Sequence, residues 1–269
     1  MDEALSYQLL HLEELKRRCD LNGKSVLEIG GCLPRDVALG STGARRWIGI
    51  DLPDYWKESG DENPSRFYQG TILDIDQAEQ ANDLDYALLL GDVLALPERI
   101  EPFDAVFSSC AFEHIQDLDK RLSVIRKILR PGSLLLAVAM PIWSSPHGSH
   151  MLPITDENGR IWHPESFALP DWHQLLLTPD EMAVHMTNRH IPDSIVRKAV
   201  HWVHESLYLN RLCAGDYVAL AARSGFSEHR VLYSDRVDWA DPQTMHVLET
   251  LYPGKGPFDR AGVMLTLHA

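Results

Sequence analysis

Five short apolar runs dominate the first half of the chain: Lys24–Ile29, Arg46–Ile50, Tyr86–Leu90, Phe103–Ser108 and Ser133–Met140. Each falls within the roughly 4–8 residues of a buried strand. Helical spacing lies before and between them. Leu5, Leu9, Leu12, Leu15 and Cys19 recur every third or fourth residue, which predicts an amphipathic helix over 4–19, stopped at Asn22-Gly23. Leu118, Leu122, Ile125 and Leu129 predict another over 118–129, ended by Arg130-Pro131-Gly132. Continuous apolar strands alternating with helices fold as a parallel sheet covered on both faces.

The later chain changes character. From Pro141 to about Asn210 no clear strand is visible, and eight of the thirteen histidines and four of the seven tryptophans gather there. Thr178-Pro179-Asp180-Glu181 is a capping box that starts a helix. After this region Tyr217–Ser224 reads as a helix closed by Gly225, and Arg230–Ser234 and Val263–Leu267 read as two final strands. The expected organisation is one α/β domain, residues 1–140 with 211–269, carrying a helical insertion over 141–210 after the fifth strand.

Charge and composition exclude several classes. A net charge of −14 argues against a protein that binds the nucleic-acid backbone, which needs a Lys/Arg surplus. Four scattered cysteines without a CxxC pair read as reduced thiols, not as disulfides or a zinc site. Met1-Asp2-Glu3-Ala4 lacks the basic start of a signal peptide, and no run reaches the roughly 18 apolar residues of a membrane span. The expectation is a soluble cytoplasmic protein that contacts neither membrane nor nucleic acid; the sequence leaves its oligomeric state open.

Four segments carry chemistry. In Ser25–Pro34 a strand ends in Glu28-Ile29 and meets Gly30-Gly31 before a helix start at Pro34. Glycine there lets a ligand approach the backbone. Asp51 closes the second strand about 20 residues beyond Gly31, where an acid accepts hydrogen bonds from ribose hydroxyls. Gly91-Asp92-Val93 follows the Tyr86–Leu90 strand, and Ser108-Ser109-Cys110 leads from the next strand to Glu113-His114.

In order and spacing, these segments and Ile128–Leu136 resemble the class I S-adenosylmethionine-dependent methyltransferases over roughly residues 24–140. The resemblance implies a doubly wound, mostly parallel seven-stranded sheet, with S-adenosylmethionine at the carboxyl ends of its first strands. It would place Glu28, Gly30 and Gly31 at the methionine part of the cofactor and Asp51, with Leu52 beside it, at the ribose. Asp92 and Val93 would flank the adenine, and Ser108 and Ser109 would pass the sulfonium end. A nicotinamide-dependent Rossmann oxidoreductase shares the strand–glycine–acid logic but would carry G-x-G-x-x-G, which is absent here. A non-catalytic binding protein on the same scaffold is the other alternative.

Methyl transfer to a hydroxyl benefits from a base, and histidine titrates near working pH. His147 and His150 follow the fifth strand, at the end of the sheet where open α/β folds bind ligands; His114 is a third candidate. His201 and His204 share a helix face, but no third ligand has convincing spacing, so no metal is expected. Trp162, Trp172 and Trp202 with the nearby histidines are expected to wall a pocket for a polar small molecule such as a sugar or flat ring.

Overall fold

The computed structural model describes residues 5–59, 68 and 70–269; the signal-peptide reading of Met1–Ala4 lies outside them. The helices are α1 (Ser6–Arg18), α2 (Pro53–Ser59), α3 (Leu118–Ile128), α4 (His173–Leu176), α5 (Pro179–Thr187), α6 (Asp193–His204), α7 (Ala214–Arg223) and α8 (Pro242–Leu251). The strands are β1 (Ser25–Ile29), β2 (Arg46–Asp51), β3 (Thr71–Asp74), β4 (Tyr86–Leu90), β5 (Phe103–Ser109), β6 (Leu129–Ala139), β7 (Ile154–Thr155), β8 (Ile161–Trp162), β9 (Glu228–Arg236) and β10 (Arg260–His268).

Eight strands form one sheet in the order β3-β4-β2-β1-β5-β6-β10-β9. All neighbours run parallel except β10, which is antiparallel to both β6 and β9. The expected count of seven is therefore one short. The missed strand is β3, on the edge of the sheet, where only Leu73 of four residues is buried. Without an apolar run it gives no strand signal.

Side-chain alternation along each strand divides the core between the two faces of the sheet. Leu27 and Ile29 of β1 face one cluster, which includes Leu122 and Ile125 of α3 and Tyr217 and Leu220 of α7. Val26 faces the other, with Leu12 and Leu15 of α1, Trp47 and Phe107. The breaker Arg130-Pro131-Gly132 lies inside β6 and not after a helix that reaches Leu129. There the register slips, Leu129 pairing with Phe103 and Leu134 with Ala105. The slip takes proline and glycine out of the regular ladder.

Between residues 141 and 210 lie α4, α5, α6 and the two-residue ribbon β7–β8, which sequence reading missed. The capping box forms as expected: the Glu181 N–H donates to Thr178 Oγ1 at 3.3 Å and the Thr178 N–H to Glu181 Oε2 at 2.9 Å. Trp162, Trp172 and Trp202 line neither the cavity beside His114 nor the one beside His147 and His150. Trp172 Nε1 donates to the carbonyls of Ser144 and Phe258, and Trp202 Nε1 to those of Ser149 and His150. A buried indole must place its single N–H, and here backbone carbonyls of 144–150 and of Phe258 accept it. No helix among the described residues is long and apolar enough to cross a membrane.

Candidate active site

β1 pairs with β2 on one side and β5 on the other; the chain winds outward from β1 through β2, β3 and β4 and then crosses back to β5, so the strand order reverses at β1. Open α/β sheets bind ligands outside the carboxyl ends of their strands at such a point. A cavity of about 280 Å³ opens there, close to the roughly 300 Å³ lower end of small-molecule sites.

The loop after β1 sets its floor. Gly30 has φ +85°, and a Cβ on it would stand 2.0 Å from the Ala111 Cβ. Only glycine allows the loops after β1 and β5 to pack this closely. Glu28 points away from the cavity, toward the α1 side of the sheet. Its carboxylate accepts the Leu33 N–H at 2.8 Å and the Trp47 indole N–H at 2.6 Å. Burial raises its pKa to about 7 despite these two donors. Gly31 does not line the cavity either; it forms an isolated bridge with Ile50.

Asp51, Leu52, Gly91, Asp92 and Val93 line one wall. Asp51 ends β2, and its Oδ1 accepts the Leu52 N–H at 2.8 Å. Asp92 takes the Leu94 N–H at 2.9 Å and pairs through both oxygens with Arg121. Arg121 also lines the cavity and was not foreseen, because α3 delivers it from far along the chain. Ser109 lines the cavity and is tied to α1 through a 2.7 Å contact with His11 Nδ1. Ser108 does not; its hydroxyl donates to the Ile29 carbonyl at 2.9 Å and joins the two strand ends.

The opposite wall is aromatic. Tyr7 and Gln8 of α1, Tyr55 of α2, His114 and Tyr208 all reach it. The Tyr55 ring lies 4.8 Å from that of His114 and 5.7 Å from that of Tyr208, centroid to centroid. Of these, sequence reading found only His114. The available signal was Tyr7-Gln8 on the polar edge of the Leu5–Leu9–Leu12 stripe.

The three histidines separate. His114 lines the cavity and contacts the Tyr208 carbonyl through Nδ1 at 2.8 Å. A carbonyl only accepts, so Nδ1 carries the hydrogen and Nε2 keeps its lone pair. Nε2 lies 3.5 Å from the Tyr55 hydroxyl. Burial holds the His114 pKa below the ordinary value. His150, half-buried, packs edge to face against His114 and contacts the Pro141 carbonyl through Nε2 at 2.5 Å. Burial, with the nearby His114 second, lowers its pKa to about 3. His147 is 70 % exposed, with Nδ1 3.9 Å from Asp171. His147 and His150 line a second cavity, of about 500 Å³, with Glu165, Asp171 and His173. His201 pairs with Glu205 at 2.9 Å on the exposed face of α6.

Residues 39–137 match the family model described as a methyltransferase domain. Over that segment the chain is similar to methyltransferases. The matched segment spans β2 to most of β6 and so includes Asp51, Asp92 and His114. The malonyl-[acyl-carrier protein] O-methyltransferase of Salmonella typhimurium is 32 % identical over 83 residues, which is 30 % of this chain and 31 % of that protein. The match thus spans about a third of the curated relative's length. Among solved structures, an S-adenosylmethionine-dependent methyltransferase from Mesorhizobium loti is 15 % identical with TM-score 0.47, covering 96 % of each chain. One from Archaeoglobus fulgidus is 13 % identical with TM-score 0.46, covering 98 % of this chain and 95 % of its own.

Proposed function

We propose that the chain methylates an oxygen atom of a polar small molecule, with S-adenosylmethionine as donor. The observation that carries this reading is the single cavity joining the tips of β1, β2, β4 and β5 to an aromatic wall that contains His114. The residues fit the cofactor. Gly30 and Ala111 leave a floor without bulk, and the buried Gln8 Oε1 in the cavity lining, without a hydrogen-bond partner, would accept from a ligand that brings N–H or O–H donors. Asp51 would hold the ribose hydroxyls, Val93 the adenine, and Ser109 the end nearest the sulfonium.

When bound, the cofactor supplies an electrophilic methyl group for in-line displacement. The protein's part is to align the acceptor and exclude water. His114 presents its Nε2 lone pair on the aromatic side and would take the proton of an acceptor hydroxyl. Transfer to oxygen is also the reaction named for the Salmonella relative. Residues 1–140 with 211–269 would form the cofactor domain and 141–210 the cap that selects the acceptor. Free cysteines and strong acidity suit a cytoplasmic enzyme acting on small molecules, away from nucleic acid and membrane.

The test is formation of S-adenosylhomocysteine from S-adenosylmethionine with a panel of hydroxyl-bearing and carboxyl-bearing small molecules. The reading expects product with at least one acceptor and its loss in His114→Gln. Cofactor binding without turnover on any acceptor would favour a binding protein instead.

A further inference from the structure

We propose that Glu113, His114 and His150 hold a divalent first-row transition cation between the two cavities. One carboxylate oxygen and one nitrogen from each imidazole lie within 4.8 Å of one another. Their hydrogen bonds fix which atoms are free. His114 Nδ1 and His150 Nε2 each face a backbone carbonyl and so carry hydrogens. The opposite nitrogens, Nε2 of His114 and Nδ1 of His150, keep lone pairs, and the Tyr55 hydroxyl 3.5 Å from His114 Nε2 would turn aside as the ion binds. Imidazoles oriented from behind by a carbonyl are the usual outer support of a metal ligand.

The third donor is Glu113. Its Oε1 accepts the Met140 N–H at 3.2 Å, while its buried Oε2 has no hydrogen-bond partner. A buried carboxylate oxygen without a donor is costly, and a cation removes that cost. Metal bonds of about 2.0–2.2 Å need donors roughly 3–3.5 Å apart, so the three side chains close by about 1 Å on binding. Two imidazoles and one carboxylate suit manganese, iron, cobalt or zinc and leave coordination positions open. The competing reading is a packed polar cluster with no ion, such as buried side chains near a strand end often form.

The use of the ion rests on the methyl-transfer reading: at this edge of the first cavity it would polarise the acceptor oxygen and lower its pKa, replacing the base role that the His114 lone pair has only in the ion-free protein. Its binding does not depend on that reading and is measured alone. Co²⁺ and Zn²⁺ are titrated by calorimetry into chelator-treated protein without cofactor or acceptor. The expected result is one ion per chain, with affinity at least tenfold weaker in Glu113→Gln and His150→Gln. His201→Ala, which removes the exposed pair with Glu205, leaves it unchanged. Circular dichroism checks folding, and His114→Gln replaces either variant that fails to fold. No uptake by the wild-type protein overturns the proposal, as does loss of uptake with His201→Ala alone. Ion binding without S-adenosylmethionine binding would leave the site standing and remove the methyl-transfer reading.

Discussion

The rings of His114 and His150 meet edge to face with 4.5 Å between centroids, although one lines the first cavity and the other the second. The two imidazoles form part of the partition between the cavities. Each is held by one backbone carbonyl, that of Tyr208 for His114 and that of Pro141 for His150.

That arrangement ranks the histidines. His114→Gln is expected to lower turnover by about 10²-fold or more, the range of a general base or its equivalent, with cofactor affinity within a few-fold of wild type. His147→Ala, exposed in the other cavity, is expected to change turnover less than about threefold. Steady-state kinetics beside calorimetric cofactor titration separates the two effects.

Gly30 is required by packing as well as by any ligand. Gly30→Ala places a Cβ 2.0 Å from that of Ala111, on a residue at φ +85°. Overpacking and left-handed backbone strain together are expected to cost about 2–4 kcal/mol in urea unfolding. Adding Ala111→Gly is expected to restore the packing part and leave the backbone part.

Glu28 gives stability a pH dependence. Its pKa is raised by burial from 4.5 to about 7, so the folded protein holds that proton more tightly than the unfolded chain. The contribution is fully present below about 4.5 and is lost as the pH rises toward 7. Its size is on the order of 3 kcal/mol. Glu28→Gln keeps one oxygen for both the Leu33 and Trp47 donors, since both reach the same oxygen. Unfolding free energies at pH 4.5, 6 and 7 are expected to fall less steeply with pH in the variant than in wild type, because buried Glu113, with a pKa raised to about 8, keeps its own share of the dependence.

Asp92 and Arg121 stabilise each other at the cavity wall. The guanidinium is 12 % exposed, and Asp92→Ala leaves it without its carboxylate. A loss of about 3–5 kcal/mol is expected if the pair behaves as buried, and less in proportion to its solvent access. Arg121→Met with Asp92→Ala is expected to be less destabilising than Asp92→Ala alone, which a double-mutant cycle measures.

The residues that were legible in the sequence are those whose role is local. Gly30, Asp51 and Asp92 sit where apolar strands stop, and the Thr178–Glu181 box needs only four consecutive residues. β3 was hidden because an edge strand with one buried residue has no apolar pattern. Tyr7, Tyr55, Arg121 and Tyr208 were hidden because the fold brings them to the cavity from distant elements. Glu28 and Ser108 were assigned to a ligand, yet both are spent on backbone and indole partners that no spacing reveals. The tryptophans misled for the same reason: aromatic abundance does not distinguish a pocket wall from a core that anchors a loop.

The central claim is that the tips of β1, β2 and β4 together bind the adenosyl part of S-adenosylmethionine. Calorimetric titration of S-adenosylmethionine into the wild-type protein and Asp51→Ala tests it most directly. The account predicts one site per chain, with affinity at least tenfold weaker in the variant and unfolding temperature little changed. No binding by the wild type, or equal affinity in both proteins, would contradict it.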